Sequence, residues 1–229
     1  VKIVVFGANG QTGRLLTRQI VDAGHHAVAV TRRPHDFPGT DPGVSVVGAD
    51  VRDVRALGPV LDGADAVLST LGVPMRMSPI DTYSVGAGNI VAAMRAAALT
   101  RLVVVSSTAV THYPGRTGTP VALKLVEPIL KSTVGRTTYA DQRRMESIVS
   151  ASGLDWTIVR PSGLFDLPDV TEYVAGQVDP VGAFTSRTDL AHYLLTLAQR
   201  QGPTAPVTIS TLTNTPTLWE MVKREALSA

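Results

Sequence analysis

The residues richest in chemistry lie near the start of the chain, where Gly7, Ala8, Asn9, Gly10, Gln11, Thr12 and Gly13 follow a β-branched run, Lys2–Phe6. A sharp strand-to-helix turn needs a residue free of Cβ constraints, and Gly7 supplies it. Gly10 lets an anionic ligand approach the backbone, and Gly13 lets the next helix pack closely on the sheet. The helix start, at Gln11 and Thr12, offers free amides and a positive dipole end to phosphate. The spacing is G-x-x-G-x-x-G, not the usual G-x-G-x-x-G, but its place between first strand and first helix is the one a dinucleotide pyrophosphate uses. An ordinary tight turn is the bland alternative.

The end of the second strand discriminates between dinucleotides. An NAD site wants a carboxylate there for the ribose 2′-hydroxyl, whereas NADP wants an arginine. This chain reads Thr31-Arg32-Arg33-Pro34, with no acid before Asp36. A guanidinium pairs with a 2′-phosphate in forked geometry. NADP is therefore the expected cofactor, with Arg32 the stronger reader and Arg33 beside it; solvation of a loop is the alternative. Asp50 and Val51 end the third strand, where an Asp accepts from an adenine amino group or else caps a turn. Leu71 and Gly72 follow the fourth strand, where small residues let backbone line a ribose or simply make a turn.

These loops need a scaffold, and the sequence supplies an alternation of short apolar runs with helical stretches. Strands are expected at Lys2–Phe6, Ala27–Thr31, Val44–Gly48, Ala66–Leu68, Leu102–Ser106 and Thr157–Arg160. Helices are expected at Gln11–Ala23, Asp53–Leu61, Tyr83–Ala98 and Tyr139–Ser152, on apolar periodicity. Continuous apolar strands between helices imply a mostly parallel sheet covered on both faces, so the fold class is doubly wound α/β. Beyond Pro161 the pattern loosens. Ser186-Arg-Thr-Asp189 reads as a capping box before Leu190–Leu197, with a strand at Val207–Ser210 and a terminal helix at Leu218–Ala226. The expectation is one domain, 1–229, in which 161–229 forms a small cap on the substrate side.

Composition fits that scaffold. The 229 residues are 44% hydrophobic and 17% charged, with 20 Gly, 15 Pro and no Cys. Thiolate chemistry, disulfides and Cys-ligated metals are thereby excluded. A net charge of +2 with scattered arginines is no polyanion footprint, so nucleic acid is not an expected partner. No apolar run approaches the ~18 residues of a membrane span, and a cytoplasmic location is expected, without a membrane partner. No oligomeric signal is apparent. A hydrolase elbow and a P-loop Gly-Lys-Ser/Thr are both missing.

Together, Gly7–Gly13, Thr31-Arg32-Arg33, Gly48-Ala-Asp50, Ser106-Ser107, Gly88–Met94, Asp141–Met145 and Ser152–Pro161 resemble the atypical short-chain dehydrogenases/reductases. The similarity is to the NmrA-like set, and within it to the biliverdin-IXβ reductase/flavin reductase branch. The resemblance implies a Rossmann-like fold with NADPH across the strand ends and the nicotinamide toward the fifth and sixth strands. It places the family serine at Ser107, beside Ser106, as a catalytic candidate whose hydroxyl would orient the nicotinamide or the acceptor, while Arg160, Pro161, Ser162 and Gly163 would shape the wall around the carboxamide. The family histidine falls near Ser162-Gly163, where none stands. Tyr139 and Arg143 imitate the family's Tyr-x-x-x-Lys spacing, so Tyr139 is a candidate acid, while counting back from Glu146 puts that pair at Thr138 and Gln142.

The function expected is hydride transfer from NADPH to a small conjugated acceptor such as a flavin, quinone or tetrapyrrole, its proton arriving from water. Val73–Ile80, with Met75 and Met77, and Phe165–Tyr173 would cover that acceptor. Two alternatives stay open: a non-catalytic NADP-sensing regulator of NmrA type, and a nucleotide-sugar epimerase.

Overall fold

The computed structural model describes residues 1–39, 41–74, 78–120, 132–133, 135–200, 202–217 and 220. In chain order the elements are β1 (Lys2–Phe6), α1 (Gln11–Asp22), β2 (His26–Thr31), β3 (Val44–Gly48), α2 (Val54–Leu57), β4 (Ala66–Ser69), α3 (Thr82–Ala96) and β5 (Arg101–Val105). There follow α4 (Arg136–Ser150), β6 (Asp155–Pro161), β7 (Gly163–Phe165), β8 (Tyr173–Gly176), β9 (Phe184–Ser186), α5 (Arg187–Gln199) and β10 (Pro206–Thr211).

The β-branched runs of the central strands β1, β2, β4 and β5 are buried on both faces, whereas the edge strand β3 is partly exposed. In β1, Val4 and Phe6 enter one apolar layer while Ile3 and Val5 enter the second, and all four are fully buried. The first layer is closed by α2, α3 and α4 through Leu57, Ile90, Met94, Met145 and Val149. The second is closed by α1 and α5 through Leu16, Ile20, Leu190 and Leu194. Each such side chain contributes about 1.5–3 kcal/mol on leaving water, which is what holds helices on both faces.

The main sheet runs β3-β2-β1-β4-β5-β6-β10-β8, parallel throughout except for β8, which pairs antiparallel with β10 at the edge. Strand order reverses between β1 and β4, so the crevice beyond their carboxyl ends is where such a sheet takes a ligand. This is the mostly parallel Rossmann-like sheet that the sequence predicts.

Three departures have identifiable causes. The stretch expected as one helix over Asp53–Leu61 is split: Asp53 caps α2 by accepting from the Arg55 amide at 3.1 Å, and Pro59 starts a separate 3₁₀ turn to Leu61. Pro59 has no amide hydrogen with which to continue the helix. The capping box before α5 is half built. Ser186 accepts from the Thr188 and Asp189 amides, but Asp189 does not return the bond. Its buried carboxylate accepts instead from the Thr171 amide at 2.7 Å, the Thr171 hydroxyl at 3.0 Å and the Thr211 hydroxyl at 2.6 Å. It thereby ties the loop before β8 to the end of β10. Finally, β7 and β9 form a separate parallel pair, closed by an edge-to-face contact of Phe165 and Phe184 at 6.2 Å. The expected terminal helix and the methionines Met75 and Met77 lie outside the described residues, Glu220 excepted. No helix among the described residues is long and apolar enough to cross a membrane.

Candidate functional site

The glycine loop turns at the carboxyl end of β1. Gly7 has φ +78, a backbone region that costs L-residues strain. A Cβ there would also stand 2.7 Å from the Thr70 carbonyl oxygen and 2.9 Å from the Leu71 nitrogen. A Cβ on Gly13 would overlap the backbone of Gly7 and Ala8. Both positions thus exclude any side chain, and the loop beyond β4 presses directly on the turn. The Thr70 hydroxyl reinforces that contact by donating to the Phe6 carbonyl at 3.1 Å.

The N-terminus of α1 begins at Gly10 with no side-chain cap and no carboxylate in its first turn. Its leading amides, at Gln11, Thr12 and Gly13, therefore keep the donor capacity that suits an anion. Asn9 is held by a cation that sequence reasoning missed: Arg14 donates to its Oδ1 from Nε at 3.0 Å and Nη2 at 2.7 Å. The signal for it was present, since Arg14 directly follows the last glycine.

At the end of β2 the two arginines separate. Arg33 pairs with Asp36 at 3.3 Å on an exposed surface. Arg32 is exposed and has no ion pair or side-chain hydrogen bond among the described residues. Asp50 closes its own turn by accepting from the Arg52 amide at 3.0 Å, while Val51 is buried and its carbonyl accepts from Asn89 at 2.8 Å. Leu71 packs against the first apolar layer, and Gly72 has open space where a Cβ would point.

At the ends of β5 and β6 the side chains change character. Ser107 caps a 3₁₀ turn, Thr108–Val110, by accepting from the Ala109 amide at 3.1 Å. Its neighbour Ser106 is 4% exposed, and its hydroxyl meets no partner. Ser162 is buried behind Pro161, its amide donating to the Thr185 hydroxyl at 3.0 Å and its own hydroxyl unpaired. Gly163, exposed, lets its amide reach the Ala183 carbonyl at 2.9 Å. On the buried face of α4, Thr138 and Gln142 each leave an oxygen unpaired as well. An unsatisfied buried polar atom costs about 1–3 kcal/mol. Four such atoms on the elements around the ends of β5 and β6 fit a polar ligand there, and a nicotinamide riboside carries matching donors and acceptors.

Tyr139 lies half-buried on the first turn of α4, beside Thr138, and Arg143 sends its guanidinium to the Val110 carbonyl at 3.4 Å. Gln142 is accompanied instead by Tyr83, from α3, whose hydroxyl accepts from the Val73 amide at 3.3 Å. Burial pushes the Tyr83 phenol above its ordinary value, and the nearby Asp141 charge adds to the shift. Asp141 itself is fully buried and caps α3 across the helix interface, accepting from the Tyr83 amide at 2.8 Å and from the Ser84 hydroxyl. His112 is exposed. A cavity of about 510 Å³ opens along α1 from Arg14 to Asp22, against Phe37 and Asp41 of the β2–β3 connection and Val44 of β3, and no residue at the ends of β5 and β6 lines it. Among the described residues no cluster could hold a metal ion.

Comparison with known proteins agrees with this geometry. A family model described as NAD(P)H-binding matches residues 7–201. An uncharacterised protein of Mycobacterium tuberculosis is 28% identical over 165 residues, 72% of this chain, which spans 15% of that protein's length. The (4-alkanoyl-5-oxo-2,5-dihydrofuran-3-yl)methyl phosphate reductase of Streptomyces griseus is 32% identical over 159 residues, 69% of this chain and 46% of the reductase. A short-chain dehydrogenase/reductase of Veillonella parvula, solved in complex with NADP, superposes with a TM-score of 0.74 at 18% identity, over 93% of this chain and 95% of its own. The glycine turn, the uncapped α1 and the doubly wound sheet are accordingly those of a known lineage: the chain belongs to the NAD(P)H-binding family.

Proposed function

We propose that this protein is an NADPH-dependent reductase of a small conjugated acceptor. The observation that carries the reading is the set of buried, unpaired polar atoms on Ser106, Ser162, Thr138 and Gln142 around the ends of β5 and β6. When bound there, a reduced nicotinamide supplies hydride. The chain's own residues do the rest. The amides opening α1 hold the pyrophosphate, and Gly7, Gly10 and Gly13 keep side chains out of its way. Arg32 pairs with the 2′-phosphate, while Asp50, Val51, Leu71 and Gly72 border the adenosine half. Ser106, Pro161, Ser162 and Gly163 orient the carboxamide, with Ser107 stiffening the loop beneath. Leu164, Phe165 and Leu167 exclude water from the acceptor's side. The Streptomyces griseus relative supports the acceptor class, because the dihydrofuranone in its name conjugates a ring double bond to carbonyl groups.

Fluorescence titration with NADPH and NADH tests the cofactor part. Arg32→Ala should weaken NADPH at least tenfold, about 1.4 kcal/mol, and NADH less than twofold. Equal losses for the two would show that Arg32 does not read the 2′-phosphate.

A further inference from the structure

We propose that Tyr113 is the proton donor of this site, oriented by Arg160, which Glu146 holds in place. The assignment rests on the reductase reading and gives the acceptor's proton a source in the protein.

The arrangement is built from three segments far apart in sequence. Glu146, on the buried face of α4 one turn beyond Gln142, takes both ends of the Arg160 guanidinium, at 2.9 Å from Nε and 2.5 Å from Nη2. Arg160 is the penultimate residue of β6, two positions before Ser162. Its remaining Nη1 donates to the Tyr113 hydroxyl at 3.3 Å. Burial alone would lower the guanidinium's pKa, but the bonds to Glu146 and Tyr113 more than offset it, so Arg160 stays charged. The phenol oxygen accepts from that cation, and no acceptor among the described residues takes its hydrogen.

Tyr113 is also fixed at the right place. It follows the 3₁₀ turn that Ser107 caps, and its carbonyl accepts from the Arg116 amide at 3.2 Å. The next residues are stitched to the segment before β9, with the Gly182 amide donating to the Thr117 carbonyl at 2.8 Å. Tyr113 is therefore half-buried on a segment that joins Arg160, at the end of β6, to the residues before β9. The Arg160 guanidinium fixes the orientation of the phenol by its hydrogen bond and leaves the phenol's own hydrogen to be donated.

The step balances as follows. Hydride from a reduced nicotinamide dinucleotide adds to the electron-poor carbon of a quinone or enone. The displaced π pair moves to the carbonyl oxygen, the O–H bond of Tyr113 breaks as the new O–H bond forms, and the phenolate recovers a proton from water.

The test compares wild type with Tyr113→Phe on two acceptors. An enone needs the proton; an N-methylacridinium cation takes hydride and no proton. Tyr113→Phe should lower kcat for the enone about 100-fold, while acridinium reduction and NADPH affinity stay within twofold. Equal losses on both acceptors, or no loss on the enone, would overturn the assignment while leaving the reductase reading intact. A wild type that reduces acridinium or a flavin but never the enone overturns this assignment alone, and one that reduces no acceptor at all removes the reductase reading with it. A readout without turnover is the infrared carbonyl band of a conjugated ketone bound with NADP⁺. It should move to lower frequency in wild type and not in Tyr113→Phe, and an unshifted band in wild type overturns the proposal.

Discussion

Gly13→Ala should abolish useful dinucleotide binding, although it adds a single methyl group. That methyl would occupy the space of the Gly7 carbonyl and the Ala8 backbone, neither of which can swing away as a side chain would. The first turn of α1 must shift, at a cost of about 1–3 kcal/mol in stability. The amides that face a pyrophosphate shift with it. Hydrogen bonds to charged groups are worth about 1.5–3 kcal/mol each, so losing two weakens NADPH by about 100-fold or more. A matched control lies in α3, where Gly88 has nothing within 4 Å of its Cβ direction. Gly88→Ala should raise stability by up to about 1 kcal/mol, because glycine is a poor helix residue, and leave NADPH titrations unchanged. Similar affinities for the Gly13 and Gly88 variants would mean that the close packing of this turn does not set the phosphate site.

Glu146→Leu should be the most damaging single change outside the glycine loop. The Glu146 and Arg160 side chains are 11% and 16% exposed, so removing the carboxylate strands a guanidinium that water barely reaches. Breaking such a pair costs about 3–5 kcal/mol, with the lower end apt for a pair that retains slight exposure. Chemical denaturation of Glu146→Leu reads the loss directly. The double variant Glu146→Leu/Arg160→Leu should recover most of the stability, since removing both charges leaves neither unpaired. It should not recover enone reduction, because Tyr113 then has no cation beside it. A double variant as unstable as the single one would assign the loss to packing and not to a stranded charge.

Much of this molecule is readable from its sequence because the governing signals are local. The β-branched runs place all six parallel strands from β1 to β6, and the glycine spacing places the turn between β1 and α1. The composition of Thr31–Pro34 anticipates two arginines at the end of β2; the structure separates them, since Arg33 has Asp36 as a neighbour and Arg32 has not. What escapes is nonlocal. The three-residue strands β7 and β9 are too short to show a period, and they exist through pairing across the loop that holds β8. Asp189 has the spacing of a capping box, but Thr171 and Thr211 compete for its carboxylate and win. Tyr139 and Arg143 have the tyrosine–cation spacing in sequence, whereas Tyr113 and Arg160, 47 residues apart, have the bond. No periodicity or motif could have joined that pair, because the turn after Ser107 and the register of β6 bring it together.

Single-turnover spectroscopy tests the central claim most directly. The preformed protein–NADPH complex is mixed anaerobically with a flavin, a quinone or a conjugated enone, and the near-ultraviolet band of the reduced nicotinamide is followed. The expected result is loss of that band with at least one of these acceptors, at a rate that saturates with acceptor concentration. Tight NADPH binding with the band unchanged for every acceptor would contradict the reductase account and leave the chain as a binder of NADP that reports its redox state.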